Sequence, residues 1–141
     1  MKAERIDHIA VLVKDLDKAT KFFSELLETS FPEPWITKAF DIRETVGPLA
    51  FPLDLCQPVS ADGAAMKVIQ QRGEGVSMIS FKVKNLEEAV AEMKSRGIRQ
   101  LVREQMGDAE YAVFHPKDTF GVMIELIEYE EKHPTVTALG T

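Results

Sequence analysis

Two stretches of this chain, seventy positions apart, follow one pattern, and this repeat constrains the fold more than any other feature. Residues 6–19 read IDHIAVLVKDLDKA, and residues 76–89 read VSMISFKVKNLEEA. Five of the fourteen aligned positions are identical and three more are conservative. Each copy begins with the alternation of a β-strand and continues with the spacing of an amphipathic helix. The repeat therefore predicts two equivalent strand–helix units.

A capping residue marks the change from strand to helix in each copy, Asp15 in the first and Asn85 in the second. Short strand-like runs separated by Gly, Pro and Asp follow each helix. They are FDIRE and PLAFPLDLC in the first half, then IRQLVRE, AEYAVFH and FGVMIELIE in the second. Each half is thus expected to contain one strand, one helix and about three further strands.

Apolar residues at helical spacing give each predicted helix one face that packs on a sheet. These residues are Leu16, Ala19, Phe22, Phe23, Leu26 and Leu27 in the first helix, and Leu86, Ala89, Val90 and Met93 in the second. We predict an α+β fold in which two βαβββ modules form one curved mixed sheet around a cavity, with the helices on the outer face. The expected single domain spans residues 1–141: module 1 about 4–59, a linker helix about 61–75, module 2 about 76–130 and a flexible tail over 131–141.

Composition excludes several classes of function. The chain has a net charge of −6 and its Lys and Arg residues are scattered, so nucleic acid is not an expected partner. The N-terminal MKAERIDHIA enters a strand pattern directly and no long apolar segment follows, so we expect neither a signal peptide nor a membrane span. Cys56 is the single cysteine, which fits a reducing cytoplasm and a small buried side chain better than a nucleophile.

Strand alternation places unusual side chains on the face that curls around the cavity. His8 in the first strand lies on this face, and the equivalent position in the repeat is Met78. Ser80 and Lys82 share the face of Met78, so Met78, Ser80 and Lys82 are predicted to line a substrate cavity.

A second alignment sets LDLC at 53–56 over IELI at 124–127. The apolar residues of both runs then face the helices, which leaves Asp54 and Glu125 on the cavity side. An ionised carboxylate between apolar neighbours of a buried strand is costly, so Glu125 favours a site role over a purely structural one. Four equivalent positions are expected to converge on one point, namely His8, Asp54, Met78 and Glu125.

From IDHIAVLVKDLDKA to GVMIELIE, the duplicated unit resembles the vicinal oxygen chelate superfamily, which includes glyoxalase I, extradiol dioxygenases and bleomycin-resistance proteins. The segments RGEGVSMISFKVKNLEEAVAEMKSRGIR and FHPKDTFGVMIELIE are similar to the methylmalonyl-CoA epimerase family. The resemblance implies a divalent metal bound by one side chain from each of four strands. Carried across, the ligand positions are the same four: His8, Asp54, Met78 and Glu125.

Two departures from the family pattern bear on the metal. Met78 stands where the family has its second histidine, and a thioether is a soft ligand that binds hard or borderline ions poorly. Asp54 is one methylene shorter than the usual Glu or Gln. The remaining set of His8, Asp54 and Glu125 is predicted to hold a divalent ion (Co, Mn, Mg, Ni or Zn), and its oxygen-rich chemistry suits Mn²⁺ or Mg²⁺ best.

The resemblance implies a small-molecule enzyme that epimerises an acyl-CoA or related carbonyl substrate by abstracting the α-proton with metal assistance. This chemistry requires an acid/base carboxylate on each side of the substrate. Glu125 is the candidate for one, and Glu44 or Asp41 for the other. Isomerisation of the glyoxalase type and ring cleavage remain open alternatives. So does a metal-free protein that sequesters a small molecule, which Met78 favours.

Three further expectations concern the surroundings of the site. Trp35, in the segment FPEPW, is predicted to lie on a loop that covers the cavity or packs at a dimer contact. His115 in FHPKD is predicted to shape a turn with Pro116. Because single-chain members of this superfamily usually pair, a two-fold homodimer through FPEPW and exposed helix faces is expected.

Overall fold

The computed structural model of the chain describes residues 1–130, and the predicted tail over 131–141 lies outside the described residues. Eight strands and three helices follow one another in the order that the repeat predicts. Module 1 contains β1 (Ala3–Leu12), α1 (Leu16–Leu27), β2 (Trp35–Thr37), β3 (Ile42–Val46) and β4 (Leu53–Pro58), and α2 (Ala64–Arg72) follows it. Module 2 contains β5 (Gly75–Val83), α3 (Leu86–Ser95), β6 (Gln100–Met106), β7 (Ala109–Phe114) and β8 (Met123–Glu128).

All eight strands belong to one mixed sheet in the order β2-β3-β4-β1-β5-β8-β7-β6. The first strand of each module lies at the centre, where β1 and β5 pair antiparallel. Within each module the first and last strands pair in parallel, β1 with β4 and β5 with β8. The sheet is therefore two copies of one arrangement joined at a single ladder, and the predicted α+β fold class is confirmed.

The ladder registers agree with both sequence alignments. Asp54 pairs with Ala10 in module 1, and Glu125 pairs with Ser80 in module 2. Ala10 and Ser80 are themselves aligned in the repeat. Asp54 and Glu125 thus occupy corresponding places in the two halves of the sheet.

Helices α1 and α3 begin where the capping residues predict. The Asp15 carboxylate accepts a hydrogen bond from the Lys18 backbone N–H at 3.1 Å, and the Asn85 side chain accepts one from that of Glu88 at 3.0 Å. Each bond satisfies one of the backbone donors that a helix leaves free at its N-terminus. The strand-to-helix turn therefore has the same local chemistry in both modules.

The apolar stripe of α1 is wider than its contact with the sheet. Leu16 is fully buried against Val13 and Leu55, and Ala19 and Phe23 pack beside them. The expectation that the whole stripe packs on the sheet is wrong, because α1 turns the side chains Phe22 and Leu26 outward, where they are 57% and 62% exposed. Helix α3 buries its predicted face: Leu86, Ala89 and Met93, with Val90 partly buried beside them.

Two local expectations in module 1 are also wrong. Trp35 does not lie on a loop but begins the edge strand β2. In PLAFPLDLC only the second part forms a strand, since residues 48–52 make a turn that exposes Leu49 and Phe51. The two prolines that flank this turn, Pro48 and Pro52, cannot donate to a ladder, which explains why the strand begins only at Leu53.

Helix α2 lies on the opposite face of the sheet from α1 and α3. Its Ile69 packs with Ala10, Leu12 and Cys56, on the concave side. This helix therefore closes part of the cavity that the sheet surrounds. No helix within residues 1–130 is both long and apolar enough to cross a membrane.

Candidate active site

The curled sheet surrounds a cavity of about 410 Å³. Strands of both modules line it, together with α2 and the single turn of 3₁₀ helix at Lys38–Phe40. The Phe40 ring meets Tyr111 on β7 with ring centroids 5.6 Å apart, so the two modules also touch across the cavity. Such a volume is in the range of small-molecule binding sites.

His8 projects from the central strand β1 into this cavity. Its Nδ1–H donates to Asp7 Oδ2 at 2.7 Å, which fixes the tautomer and leaves Nε2 facing the other side chains of the site. His8 Nε2 lies 3.5 Å from Glu125 Oε1 and 3.9 Å from Asp54 Oδ2. His8 therefore lies close to each of the two carboxyl groups, Glu125 and Asp54.

Asp7 is a member of the site that the strand pattern did not reveal. The β1–β5 register slips between Ile6 and His8, so Asp7 is the extra residue of a β-bulge and is buried, 5% exposed. Its other oxygen accepts hydrogen bonds from Tyr129 Oη and from Arg5 Nη1, the latter at 3.3 Å. One feature of the sequence could have indicated this role. Strict alternation would place Asp7, a charged residue, on the apolar face of the strand that packs against the helices.

Charges around His8 keep its ring protonated. Burial alone would lower the pKa of His8, but the hydrogen bond to Asp7 and the carboxylates of Glu125 and Asp54 raise it to about 10. Burial would raise the pKa of Asp7, but the hydrogen bond and charge of His8 together with Tyr129 and Arg5 lower it. At neutral pH the site therefore contains an imidazolium whose Nε2–H points at two carboxyl groups.

Glu125 on β8 is held between Ser80 and His8. The Ser80 hydroxyl donates to Glu125 Oε1 at 2.7 Å, and both side chains are buried. Burial raises the pKa of Glu125 despite the opposing effects of His8 and Ser80. A carboxyl group of this kind changes its protonation state more readily near neutral pH than an exposed one does.

Glu44 and Asp54 form a second buried acidic pair on the module 1 wall. Thr37 Oγ1 donates to Glu44 Oε1, and Cys56 Sγ lies 3.9 Å from Glu44 Oε2. Burial and the neighbouring Glu44 raise the pKa of Asp54 well above its ordinary value. Asp54 Oδ1 is buried and has no hydrogen-bond partner. A buried oxygen without a hydrogen-bond partner is unfavourable in free energy, so a ligand atom that pairs with Asp54 Oδ1 would be stabilising.

The distance from His8 to each of the two carboxyl groups suits ligands that share a divalent ion. Two ligands that each bind one ion at about 2.1 Å are about 3.0–4.2 Å apart, and the separations of His8 Nε2 from Glu125 and Asp54 lie within this range. Among residues 1–130, the group of potential ligands whose atoms all lie within 4.8 Å of one another is a different one, Glu44, Asp54 and Cys56, so the carboxyl oxygens of Asp54 and Glu125 near His8 are farther apart than this. Asp54 belongs to both sets, but burial raises the pKa of the Cys56 thiol, which makes it a poor ligand.

Several predicted residues are placed differently from the expectation. Met78 and Trp35 line the cavity, but Ser80 lies behind the Glu125 side chain, and Lys82 does not line it either. Lys82 Nζ pairs with Glu4 at 2.8 Å and lies 4.9 Å from the centre of the Tyr129 ring. The prediction that Ser80 and Lys82 line the cavity is therefore wrong. The Glu125 side chain covers Ser80, and Lys82 pairs with Glu4.

Two more predicted residues have structural partners. Asp41 lines the cavity, yet its carboxylate accepts hydrogen bonds from the backbone N–H and hydroxyl of Ser60, whereas Glu44 accepts one from the Thr37 hydroxyl beside Asp54 and Cys56. His115 caps the short turn Pro116–Asp118, where its Nδ1 accepts from the Lys117 backbone N–H at 3.1 Å. Of the two candidates for the second carboxylate, Glu44 is thus the one near Asp54.

Comparison with known proteins agrees with this architecture. Residues 5–126 match the model of the Glyoxalase/Bleomycin resistance protein/Dioxygenase superfamily. The chain belongs to this superfamily. The matched range includes His8, Glu44, Asp54 and Glu125.

Several relatives within the superfamily are methylmalonyl-CoA epimerases. The chain is 29% identical to mitochondrial methylmalonyl-CoA epimerase of Mus musculus, over 89% of this chain and 73% of that protein. A Streptomyces coelicolor methylmalonyl-CoA epimerase variant in complex with 2-nitronate-propionyl-CoA superposes with a TM-score of 0.81 at 25% identity, covering 91% of this chain and 99% of the other. A methylmalonyl-CoA epimerase in complex with methylmalonyl-CoA and NH4+ gives 0.81 at 27% identity, over 92% and 97%. The expectation of an enzyme of the epimerase type is confirmed.

Proposed function

We propose that this protein epimerises an acyl-CoA thioester at the carbon next to the carbonyl. The observation that carries the proposal is the placement of Glu44 and Glu125, two buried carboxyl groups that reach one cavity from strands on opposite sides of the central ladder. His8 projects from β1 between them. Removal of a proton from one face of a carbon and its return to the other requires this arrangement.

The related proteins support a CoA thioester as the substrate class. Two of them are solved with acyl-CoA compounds, 2-nitronate-propionyl-CoA and methylmalonyl-CoA. Both superpose on more than nine-tenths of this chain. The cavity also has the size of a site for a thioester end, with the rest of CoA extending to the surface.

The proposed reaction moves one proton out and one proton in. Glu44 takes the α-proton as a base, and the C–H electron pair passes into the carbonyl to form an enolate. Glu125 then gives its carboxyl proton to the opposite face of the same carbon, and the electron pair returns. The other epimer uses the two residues in reversed roles. The raised pKa of Glu125 suits a group that must be protonated in half of these cycles.

The negative charge on the enolate oxygen needs a donor that is already in place. The Nε2–H of His8 faces the cavity and is oriented by Asp7, which Tyr129 and Arg5 hold in turn. A donor fixed in this way stabilises developing charge without reorganising during the reaction. We therefore assign His8 to the enolate oxygen.

A divalent ion would supply the same stabilisation as a Lewis acid when bound. His8, Asp54 and Glu125 are the residues that would hold it, and binding of the ion would displace the Nε2 proton of His8. Mn²⁺ or Mg²⁺ suits this oxygen-rich set, since Met78 adds only a soft donor.

The experiment that tests the proposal is exchange of the α-hydrogen in D₂O. An epimerase must exchange this hydrogen with solvent, so mass spectrometry of methylmalonyl-CoA and 2-methylbutanoyl-CoA incubated with the protein reports deuterium gain. Gain of one deuterium in either thioester supports the proposal. Binding of both compounds without exchange would instead indicate a protein that only sequesters a small molecule.

A further inference from the structure

The turn between β7 and β8 exposes an aromatic side chain in an unfavourable backbone conformation. Phe120 has a φ of 60°, in the left-handed region that bulky residues rarely occupy, and its side chain is fully exposed. Glycine would adopt this conformation without strain, and a polar side chain would suit full exposure to water better. Neither packing nor backbone geometry explains a phenylalanine at this position.

The turn holds Phe120 firmly. The Thr119 hydroxyl donates to the Val122 backbone oxygen at 2.6 Å. On the other side, the Asp118 carboxylate accepts from Arg99 Nε and Nη2 at 2.8 and 3.1 Å. The neighbours of Phe120 thus impose its conformation. A ring presented in this way loses little freedom when a ligand packs on it.

This turn lies at an edge of the sheet where the cavity reaches solvent. Met78 pairs with Met123 in the parallel β5–β8 ladder, so the start of β5 and the turn before β8 lie at the same edge. Gln100 at the start of β6 pairs with Phe114, the last residue before the turn. The next residue of β6, Leu101, lines the cavity and is 48% exposed.

A second, smaller cavity of about 280 Å³ adjoins the first at the start of β5. It lies between the end of α2 and β5, where Arg72 and residues 73–76 line it. Leu12 and Val68 line both cavities. A ligand too long for the first cavity can therefore continue into the second.

Two cationic side chains at this edge are free to bind an anion. Arg72 Nη2 donates to the Val76 backbone oxygen at 3.2 Å, and Lys117 lies exposed in the turn. Within residues 1–130, neither side chain pairs with a carboxylate. Glu74 also lines the smaller cavity, but its carboxylate accepts from the Lys14 backbone N–H at 2.8 Å. Arginine and lysine are the side chains that bind phosphate groups best.

We propose that this edge binds the nucleotide end of the CoA thioester, with the adenine ring stacked on Phe120 and the phosphates on Arg72 and Lys117. The inference rests on the acyl-CoA substrate of the proposed function and specifies where its nucleotide binds. The acyl group lies beside Glu125, and the pantetheine arm passes through the smaller cavity. Adenine stacks well on an exposed aromatic ring, and such a ring at the mouth of the site explains why a strained phenylalanine is kept there.

Binding of 3′,5′-ADP tests the inference without the reaction, because this compound has the adenine and two phosphates of CoA but no acyl group. Isothermal titration calorimetry of the full chain should detect binding. Phe120→Gly should weaken it by about tenfold or more, equivalent to about 1.4 kcal/mol, whereas Phe120→Trp should retain it. Phe22→Ala on the exposed face of α1 is the matched control and should change nothing. No binding by the wild type, or equal affinity in Phe120→Gly, would overturn the inference.

The charge of Arg72 is tested separately. Arg72→Gln should weaken the binding of 3′,5′-ADP and make it less sensitive to salt, because one contact between a cation and a phosphate is lost. Unchanged affinity and unchanged salt dependence would remove Arg72 from the site.

Unfolding in urea shows whether the ring has a structural role instead. Phe120→Gly should be at least as stable as the wild type, since glycine adopts the left-handed conformation without strain. A clearly less stable variant would mean that the fold requires the ring, and this explanation of its exposure would fall.

A pair of substrates separates this inference from the proposed function. In the deuterium-exchange assay, Phe120→Gly should raise the KM for methylmalonyl-CoA about tenfold and leave its kcat unchanged. The KM for methylmalonyl-pantetheine, which lacks the nucleotide, should not change. Loss of 3′,5′-ADP binding in Phe120→Gly without any exchange by the wild type would leave the inference standing and remove the epimerase activity. Exchange with the same KM for methylmalonyl-CoA in both proteins would do the opposite.

Discussion

Ile9 and Ile79 face each other across the β1–β5 ladder, and a local two-fold axis passes between them. Each module places its side chains about this axis in the same way, but corresponding positions carry different chemistry. The ladder registers give three such pairs in the site: His8 with Met78, Asp54 with Glu125, and Glu44 with Tyr111. Because the pairs differ, the two walls of the cavity are chemically distinct.

Glutamine in place of Glu44 or Glu125 is expected to slow α-hydrogen exchange by about 10²–10⁴-fold, since an amide can neither take nor give the proton. Binding of the acyl-CoA should change much less. The measurement is deuterium incorporation under single-turnover conditions, with Glu25→Gln on the exposed face of α1 as the matched control. Exchange at the wild-type rate in either site variant would remove that residue from the proton transfer.

Replacement of Asp7 with asparagine is expected to lower the pKa of His8, because the hydrogen bond to Asp7 is the largest of the effects that raise it. Titration of the His8 ring followed by NMR measures this value directly, with His8→Gln to assign the signal. His115→Gln is the control, since that residue only caps a turn. A His8 pKa unchanged in Asp7→Asn would show that Glu125 and Asp54 alone keep the ring charged.

The protonated state of His8 also makes stability depend on pH. Its pKa is about 10 in the folded protein against an ordinary value of 6.5, so the folded state binds one more proton between these limits. This contribution is fully present below the lower limit and is lost as the pH rises through the upper one. The free energy of unfolding in urea should therefore fall by up to about 1.4 kcal/mol per pH unit above neutrality. His8→Gln should give a flatter curve, and parallel curves would contradict the assignment.

Histidine at position 78 should restore the two-imidazole ligand set of the superfamily. We expect Met78→His to bind Mn²⁺ or Co²⁺ at least about tenfold more tightly than the wild type, a gain of about 1.4 kcal/mol, because an imidazole replaces a soft thioether. Calorimetric titration with each ion measures the affinity, and Met78→Leu is the control that should bring no gain. Equal affinity in all three proteins would mean that the residues around His8 lack metal geometry.

A two-fold homodimer remains a prediction, and the exposed side chains of Phe22 and Leu26 on α1 are candidate contacts. An interface above about 1,000 Å² would be needed for a stable pair. Light scattering at micromolar concentration should give twice the chain mass, and a Phe22→Glu/Leu26→Glu variant should give the chain mass once. Lys21→Gln on the same helix is the control. A wild-type monomer would refute the pairing.

Periodicity was sufficient to predict the two equivalent modules and the presence of His8, Asp54, Met78 and Glu125 in one cavity, because the repeat and strand alternation determine both. It failed where one residue breaks the alternation. The bulge at Asp7 brings a second carboxylate to His8, and only the pairing with β5 reveals it. It also failed where neighbours decide the outcome. Ser80 lies on the predicted face of β5, but the Glu125 side chain covers it, and Lys82 is paired with Glu4.

The central position of β1 has a consequence for synthesis of the chain. Residues 3–12 leave the ribosome before residues 75–83, which the β5 ladder requires and which lie about seventy positions later. At about 5–20 residues per second, β1 has an uncovered edge for about 4–14 seconds. Because Ile9 pairs with its own counterpart in the repeat, another nascent copy of β1 presents a similar edge. Neighbouring ribosomes on one message therefore produce chains that can pair wrongly with each other, and slow translation of the first half should lower the yield of native protein.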